Sequence, residues 1–235
     1  MPTTLIKDLK VLYEDNHLII VLKDEGILSQ SNYSTDVDLL SIVKEYIKEK
    51  YQKEGNVYIG LVHRLDRRVG GLMIFAKTSK AAARLSAIIR EQSLEKKYLA
   101  IVTGNPPQEG ELVDYLKKVT INNQQISVET TINDPKAKKA ILHFKNIKTF
   151  TIDSLDFSIL SVDLITGRYN QIRKQLSLLG FPIVNDFKYG YRGENYYNQL
   201  GLFCYQISFN HPIKKEIIKI THYPSGWFWE KLEKE

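Results

Sequence analysis

The sequence predicts an α+β fold with a central mixed, mostly antiparallel sheet flanked by helices. Three observations carry this: seven β-like stretches, several adjacent in sequence; three stretches with helical periodicity; and no linker, repeat or low-complexity tract among the 235 residues. A single continuous domain over residues 1–235 is therefore expected.

The elements follow in chain order. "HLIIVLK" is an apolar run of strand length, and Leu40, Val43 and Ile47 recur at helical spacing within a helix predicted over about Val37 to Tyr51. The second glycine of "VGG" opens the strand "LMIFAK", and Ser79 is expected to cap a helix through "KAAARLSAIIREQ". "KKYLAIVTG" returns as a strand, followed by "GELVDYLKK", "KKAILHFKNIK", "LDFSILSVDLI" and "GLFCYQISFN", with "TGNPPQEGE" and "NDPKAKK" as turns. Between the last two strands, "RYNQIRKQLSLLG" is a helix with Ile172, Leu176 and Leu179 as its apolar stripe and Gly180 as its stop.

Composition removes several classes of function. Cys204 is the only cysteine, which excludes an intrachain disulfide and a cysteine metal cluster and fits a reducing, cytoplasmic setting. His17, His63, His143, His211 and His222 show no paired metal spacing, so no metal is expected. "MPTTLIKDLKVLYEDNHLIIVLKDEG" interrupts every apolar run with a charge, leaving neither a signal peptide nor a membrane span. No phosphate-binding, dinucleotide-binding or nucleophile-elbow motif is present, which leaves cofactor-free chemistry. A net charge of +6, from 33 basic and 27 acidic residues, favours a polyanionic partner, although a solvated Lys-rich surface explains it as well.

One acid stands out in "LVHRLDRRVGGLMIFAK". Asp66 lies among Arg64, Arg67 and Arg68, just ahead of Gly70 and Gly71, on a loop that bends before a buried strand. Either it pairs with its flanking arginines at the surface or it is a reactive group. Arg173 sits one residue round from the buried face of its helix, so its guanidinium either finds an anion, for which Asp66 would serve, or reaches back to solvent. Tyr98, in "KKYLAIV", is either core or the wall of a flat pocket; an aromatic beside a reactive carboxylate suits stacking on a nucleobase.

Three segments together resemble the RluA-type family of RNA pseudouridine synthases. "HRLDRRVGGLMIFAK" is similar to its HRLD signature, "KKYLAIVTG" to its tyrosine strand, and "LITGRYNQIRKQLSLLGFPIVNDFKYG" to its T-G-R-x-x-Q-I-R helix and P-I-x-x-D-x-x-Y-G tail. "VLYEDNHLIIVLKDEG" near the start and "FNHP" with "PSGWFW" near the end extend the resemblance over nearly the whole chain.

The resemblance implies the pseudouridine synthase catalytic fold, with Asp66 as catalytic aspartate, Tyr98 packed on the target uracil and assisting proton removal from C5, and Arg173 paired with Asp66. Arg64 would fill the gap left by the flipped base, and His63, Arg67, Arg168 and Gln171 would join it in binding RNA. Each of the lysines Lys96, Lys97, Lys136, Lys138 and Lys139 is either part of a solvated surface, the commoner case, or a phosphate ligand. The resemblance further implies isomerisation of uridine to pseudouridine within RNA, without cofactor or metal; an rRNA or tRNA stem-loop is the expected partner and a monomer the expected state. No small basic S4 domain is expected ahead of Val11.

The chain departs from the pattern at three places: Val69-Gly70-Gly71 replaces Thr-Ser-Gly, Asn170 replaces a histidine, and Lys23-Asp24 replaces Lys-Pro. Two other readings stay open. One is a non-catalytic RNA-binding module that kept the fold. The other is a glycoside or nucleoside hydrolase, which needs a second acid; Asp186 is the nearest candidate and reads better as structural.

Overall fold

Seven consecutive buried residues, Gly70–Ala76, form a strand with both faces covered, which is why the segment reads as a continuous apolar run rather than an alternating one. The computed structural model describes residues 8–31 and 37–231, apart from the side chains of Trp227 and Phe228. The first seven residues, and the side chains of two residues of "PSGWFW", therefore lie outside what the structure describes.

The chain divides into two compact units, one reaching to Leu94 and taking in Gln206–His222, the other holding Glu95–Tyr205 and the residues from Tyr223 onward. In the first unit, β1 (Val11–Glu14) pairs with β2 (Leu18–Lys23), and β2 with β4 (Gly70–Ala76), from Leu18 opposite Ala76 to Lys23 opposite Gly71, all antiparallel. The short β3 (Gly60–Leu61) pairs with the far end of β4, and β11 (Ile217–Thr221) with the later half of β10 (Leu202–Asn210). Two helices complete this unit, α1 (Leu39–Lys50) and α2 (Ser79–Arg90).

Asp38 caps α1 by accepting from the Ser41 N–H. The cap of α2 is Thr78, not Ser79 as the sequence suggested. Thr78 keeps an extended backbone (φ −137°, ψ 153°) that brings its hydroxyl to the Ala81 N–H at 3.1 Å, while Ser79 is already helical. The strand after the glycines begins at Gly70, one residue before the predicted start, and Gly71 holds φ at 129°, a value that a side chain would strain.

Two charged clusters tie this unit together. The Asp15 carboxylate accepts from the His17 and Leu18 N–H groups at 2.7 and 2.8 Å and meets His211 Nε2 at 2.9 Å. His211 Nδ1 accepts from the N–H groups of Ile213 and Lys214, so the ring is held with its proton on Nε2, facing Asp15. The terminal motifs "YEDNH" and "FNHP" thus meet in one network.

In the second cluster, Glu14 accepts from Lys77 at 2.6 Å, Lys50 at 2.7 Å, Tyr51 at 2.7 Å and Tyr46 at 3.2 Å, joining β1 to the end of α1. Burial by itself would raise the Glu14 carboxyl, but the bonds from Lys50, Lys77 and Tyr51 outweigh it and bring it down to about 2.

The second unit orders its strands β5-β9-β8-β6-β7, with β5 at Glu95–Thr103, β6 at Glu109–Ile121, β7 at Gln124–Glu129, β8 at Lys138–Ile152 and β9 at Leu155–Leu164. Neighbours in this series are antiparallel. Asn122-Asn123 and Asp153-Ser154 take positive φ at both residues and close two-residue hairpins of the kind that suits the twist of the flanking strands. The helix α3 (Gln171–Leu178) follows β9, and Gly180, at φ 92°, ends it by donating to Ser177. Of the expected apolar stripe, Ile172 and Leu176 are buried and Leu179 is half-buried. No helix among the described residues is long and apolar enough to cross a membrane.

Because Glu14 has a lowered pKa in the folded state, its stabilisation is fully present above its ordinary value of 4.5 and is lost as pH falls from there through about 2. Glu14→Gln is expected to destabilise the chain by about 1–3 kcal/mol at neutral pH. Urea titrations at several pH values should show the difference from the parent shrinking across that acid window.

Candidate active site

Asp66 occupies the first position of a tight turn. Its carbonyl accepts from the Val69 N–H at 3.0 Å and its Oδ1 accepts from the Arg68 N–H at 2.9 Å, so the backbone two residues ahead orients the carboxylate. Asp66 is partly exposed, three residues ahead of buried Val69 and Gly70. Val69 packs away from solvent where the resembling pattern has a threonine, so that departure exchanges a hydroxyl for core contact.

A second loop braces this turn. Lys23, at the end of β2, is fully buried and donates from Nζ to the carbonyls of Ile27 at 2.8 Å, Asp24 at 2.9 Å and Arg67 at 3.2 Å. Gly26 N–H donates to the Arg67 carbonyl at 2.8 Å, while Arg67 Nε returns a bond to the Gly26 carbonyl at 2.9 Å. Ser29 closes the far side: its hydroxyl donates to the Leu65 carbonyl at 2.7 Å and accepts from the Leu65 N–H at 3.1 Å. Burial lowers the Lys23 ammonium to about 8, with the negative charge of Asp66 the first of the influences opposing that fall.

The flanking basic residues look outward or inward according to position. Arg64 is exposed and donates to Gln30 Oε1 at 2.8 Å. His63 is half-buried, and its Nε2 accepts from the Ile74 N–H at 3.0 Å, which assigns the ring proton to Nδ1 and anchors the loop to β4.

In the second unit, Tyr98 lies on β5 and is 5% exposed, with the Cys204 side chain near its phenol. Burial pushes its phenol well above the ordinary value, followed by the influence of Cys204, so the hydroxyl remains protonated. Arg173 is 4% exposed and makes a two-pronged pair with fully buried Asp186, Nε to Oδ2 and Nη2 to Oδ1, both at 2.7 Å. Its guanidinium also lies 4.9 Å from the centre of the Tyr189 ring.

The loop before α3 is locked from inside. Gln171 is 2% exposed; its Oε1 accepts from the Thr166 hydroxyl at 2.8 Å and the Arg168 N–H at 3.0 Å, and its Nε2 donates to the Ile141 carbonyl at 3.0 Å. The Gln171 amide thus shapes the loop from within. Arg168 donates from Nε to the Lys139 carbonyl at 2.9 Å. Asn170, where the pattern has histidine, sits at φ 49°, a left-handed conformation that asparagine tolerates, and donates to the Tyr189 hydroxyl at 3.2 Å.

Sequence reasoning missed Lys23 and Ser29 as supports and Asp186 as the partner of Arg173. A lysine ending an otherwise apolar strand was the available signal for Lys23. Asp186→Asn should remove the anion that meets both ends of the Arg173 fork in the core and cost about 3–5 kcal/mol, measured by denaturant unfolding.

Residues 17–178 match the family described as RNA pseudouridylate synthase. Ribosomal large subunit pseudouridine synthase C of Buchnera aphidicola is 36% identical over 226 residues, 90% of this chain and 65% of that protein. tRNA pseudouridine synthase C of Haemophilus ducreyi is 29% identical over 229 residues, 91% of this chain and 89% of that protein. Three curated relatives are longer, the chain spanning 65%, 66% and 56% of their lengths. The solved structure of human RNA pseudouridylate synthase domain containing 4 shares the fold, with a TM-score of 0.74 at 20% identity, over 93% of this chain and 90% of that one. A family match over more than half of the residues, on this shared fold and with the RluA-type motifs in order, means that the chain belongs to the RNA pseudouridylate synthase family.

Proposed function

We propose that this chain converts uridine to pseudouridine within an rRNA or tRNA stem-loop, with Asp66 as the catalytic aspartate. The observation that carries the reading is the braced turn, which fixes a partly exposed carboxylate at the mouth of a buried strand. Relatives named for rRNA and for tRNA modification support both RNA classes.

The reaction breaks the bond from uracil N1 to C1′, turns the base, forms a bond from C5 to C1′, moves the C5 proton off the ring and leaves a proton on N1. A carboxylate suits it by attacking or stabilising the electron-poor sugar while the base stays trapped. Tyr98 packs against the uracil and assists removal of the C5 proton. Its protonated phenol favours stacking in the resting state. Arg173, oriented by Asp186, pairs with Asp66.

Extruding a uridine from folded RNA costs a few kcal/mol, which stacking and phosphate contacts offset. Exposed Arg64 fills the gap left by the flipped base, and Arg67 and Arg168 take backbone contacts. His63 and Gln171 keep the two RNA-facing loops in shape.

Tritium release from RNA labelled at uridine C5 tests this, with rRNA and tRNA taken separately from cells lacking the gene. Asp66→Asn should retain RNA affinity and slow release by at least about 100-fold. An Asp66→Asn protein as fast as the parent would overturn the assignment, and bound RNA without release by the parent would favour the non-catalytic module.

A further inference from the structure

We infer that Lys96 binds a backbone phosphate of the RNA beside Tyr98, an inference that rests on the reading of this chain as acting on RNA. Lys96 and Tyr98 are two residues apart on β5, so they leave the strand on the same face. Lys97, on the other face, pairs with Asp163 at 3.0 Å.

The Lys96 ammonium lies over Gly167, where an added Cβ would stand 3.7 Å from Nζ. It therefore reaches the same loop that Gln171 locks, at the one residue of that loop with no side chain to cover it. A ligand at this spot meets an ammonium on one side and a backbone of fixed shape on the other.

The charge there is uncompensated. Lys96 is partly buried, and burial lowers its pKa, opposed by the influence of Cys204. Among the described residues it has no ion pair with a carboxylate, whereas two other lysines withdrawn from water have oxygen partners of their own. Lys23 meets three carbonyls, and Lys77 meets Glu14 at 2.6 Å. A cation stripped of part of its hydration needs a counter-charge, and the neutral Tyr98 phenol supplies none. Phosphate is the formal anion that RNA brings to every nucleotide, and a point-charge ammonium with three rotatable donors accommodates it without demanding one geometry.

Lys96→Met keeps the apolar stem and removes the charge. In titrations of total rRNA and total tRNA over a range of potassium chloride concentrations, this change should lower the slope of log affinity against log salt by about 0.7–0.9. Lys96→Arg should restore the slope.

Parallel tritium-release assays on the same proteins separate the two readings. A parent that releases tritium, with an unchanged slope in folded Lys96→Met, overturns the phosphate contact alone. A parent that neither binds nor modifies RNA overturns both. Should Lys96→Met fail to fold, Lys96→Gln, which retains polarity at the rim, takes its place under the same two criteria.

Discussion

The Lys23 ammonium is the interaction on which the Asp66 turn depends. It is buried at the end of β2 and surrounded by carbonyls from both the loop that follows it and the turn itself. A carboxylate on a mobile loop would lose ordering entropy each time it met a substrate; a turn bonded at Lys23, Ser29 and His63 has lost it already. The burial that lowers the ammonium is opposed first by Asp66, so the acid and its support are electrostatically linked as well as mechanically joined.

The second unit uses the same logic with a different pair. Arg173 carries its charge into the core, where Asp186 meets both ends of its fork and the Tyr189 ring covers one face. Such a pair gains little stability over apolar packing, but it fixes direction, because two parallel bonds leave the guanidinium one orientation. Gln171 does the equivalent for the loop preceding α3 without any charge.

The strands and helices were legible where periodicity or a continuous apolar run marked them. β2, β4, α1 and the core of β5 were all read from such runs. β1 and β11 were not, since they are short and, apart from Ile218, only partly covered, and the hairpin into β7 was hidden because Asn-Asn is a weaker turn signature than Asn-Gly. The cap of α2 moved by one residue because both Thr78 and Ser79 can cap, and only backbone geometry chooses between them. Asp66, Tyr98 and Arg173 were singled out by type and neighbourhood. Their supports were not, because a hydrogen bond between residues 36 or 44 positions apart leaves no local pattern.

In the proposed reaction the braced carboxylate of Asp66 rearranges uridine without losing the base. Nucleoside analysis of rRNA and tRNA after incubation with the protein tests it most directly, by quantifying uridine, pseudouridine and free uracil together. Pseudouridine gained in equal measure to uridine lost, with no free uracil, is the expected result. Uracil released into solution, or a nucleoside profile unchanged in both RNAs, would contradict it.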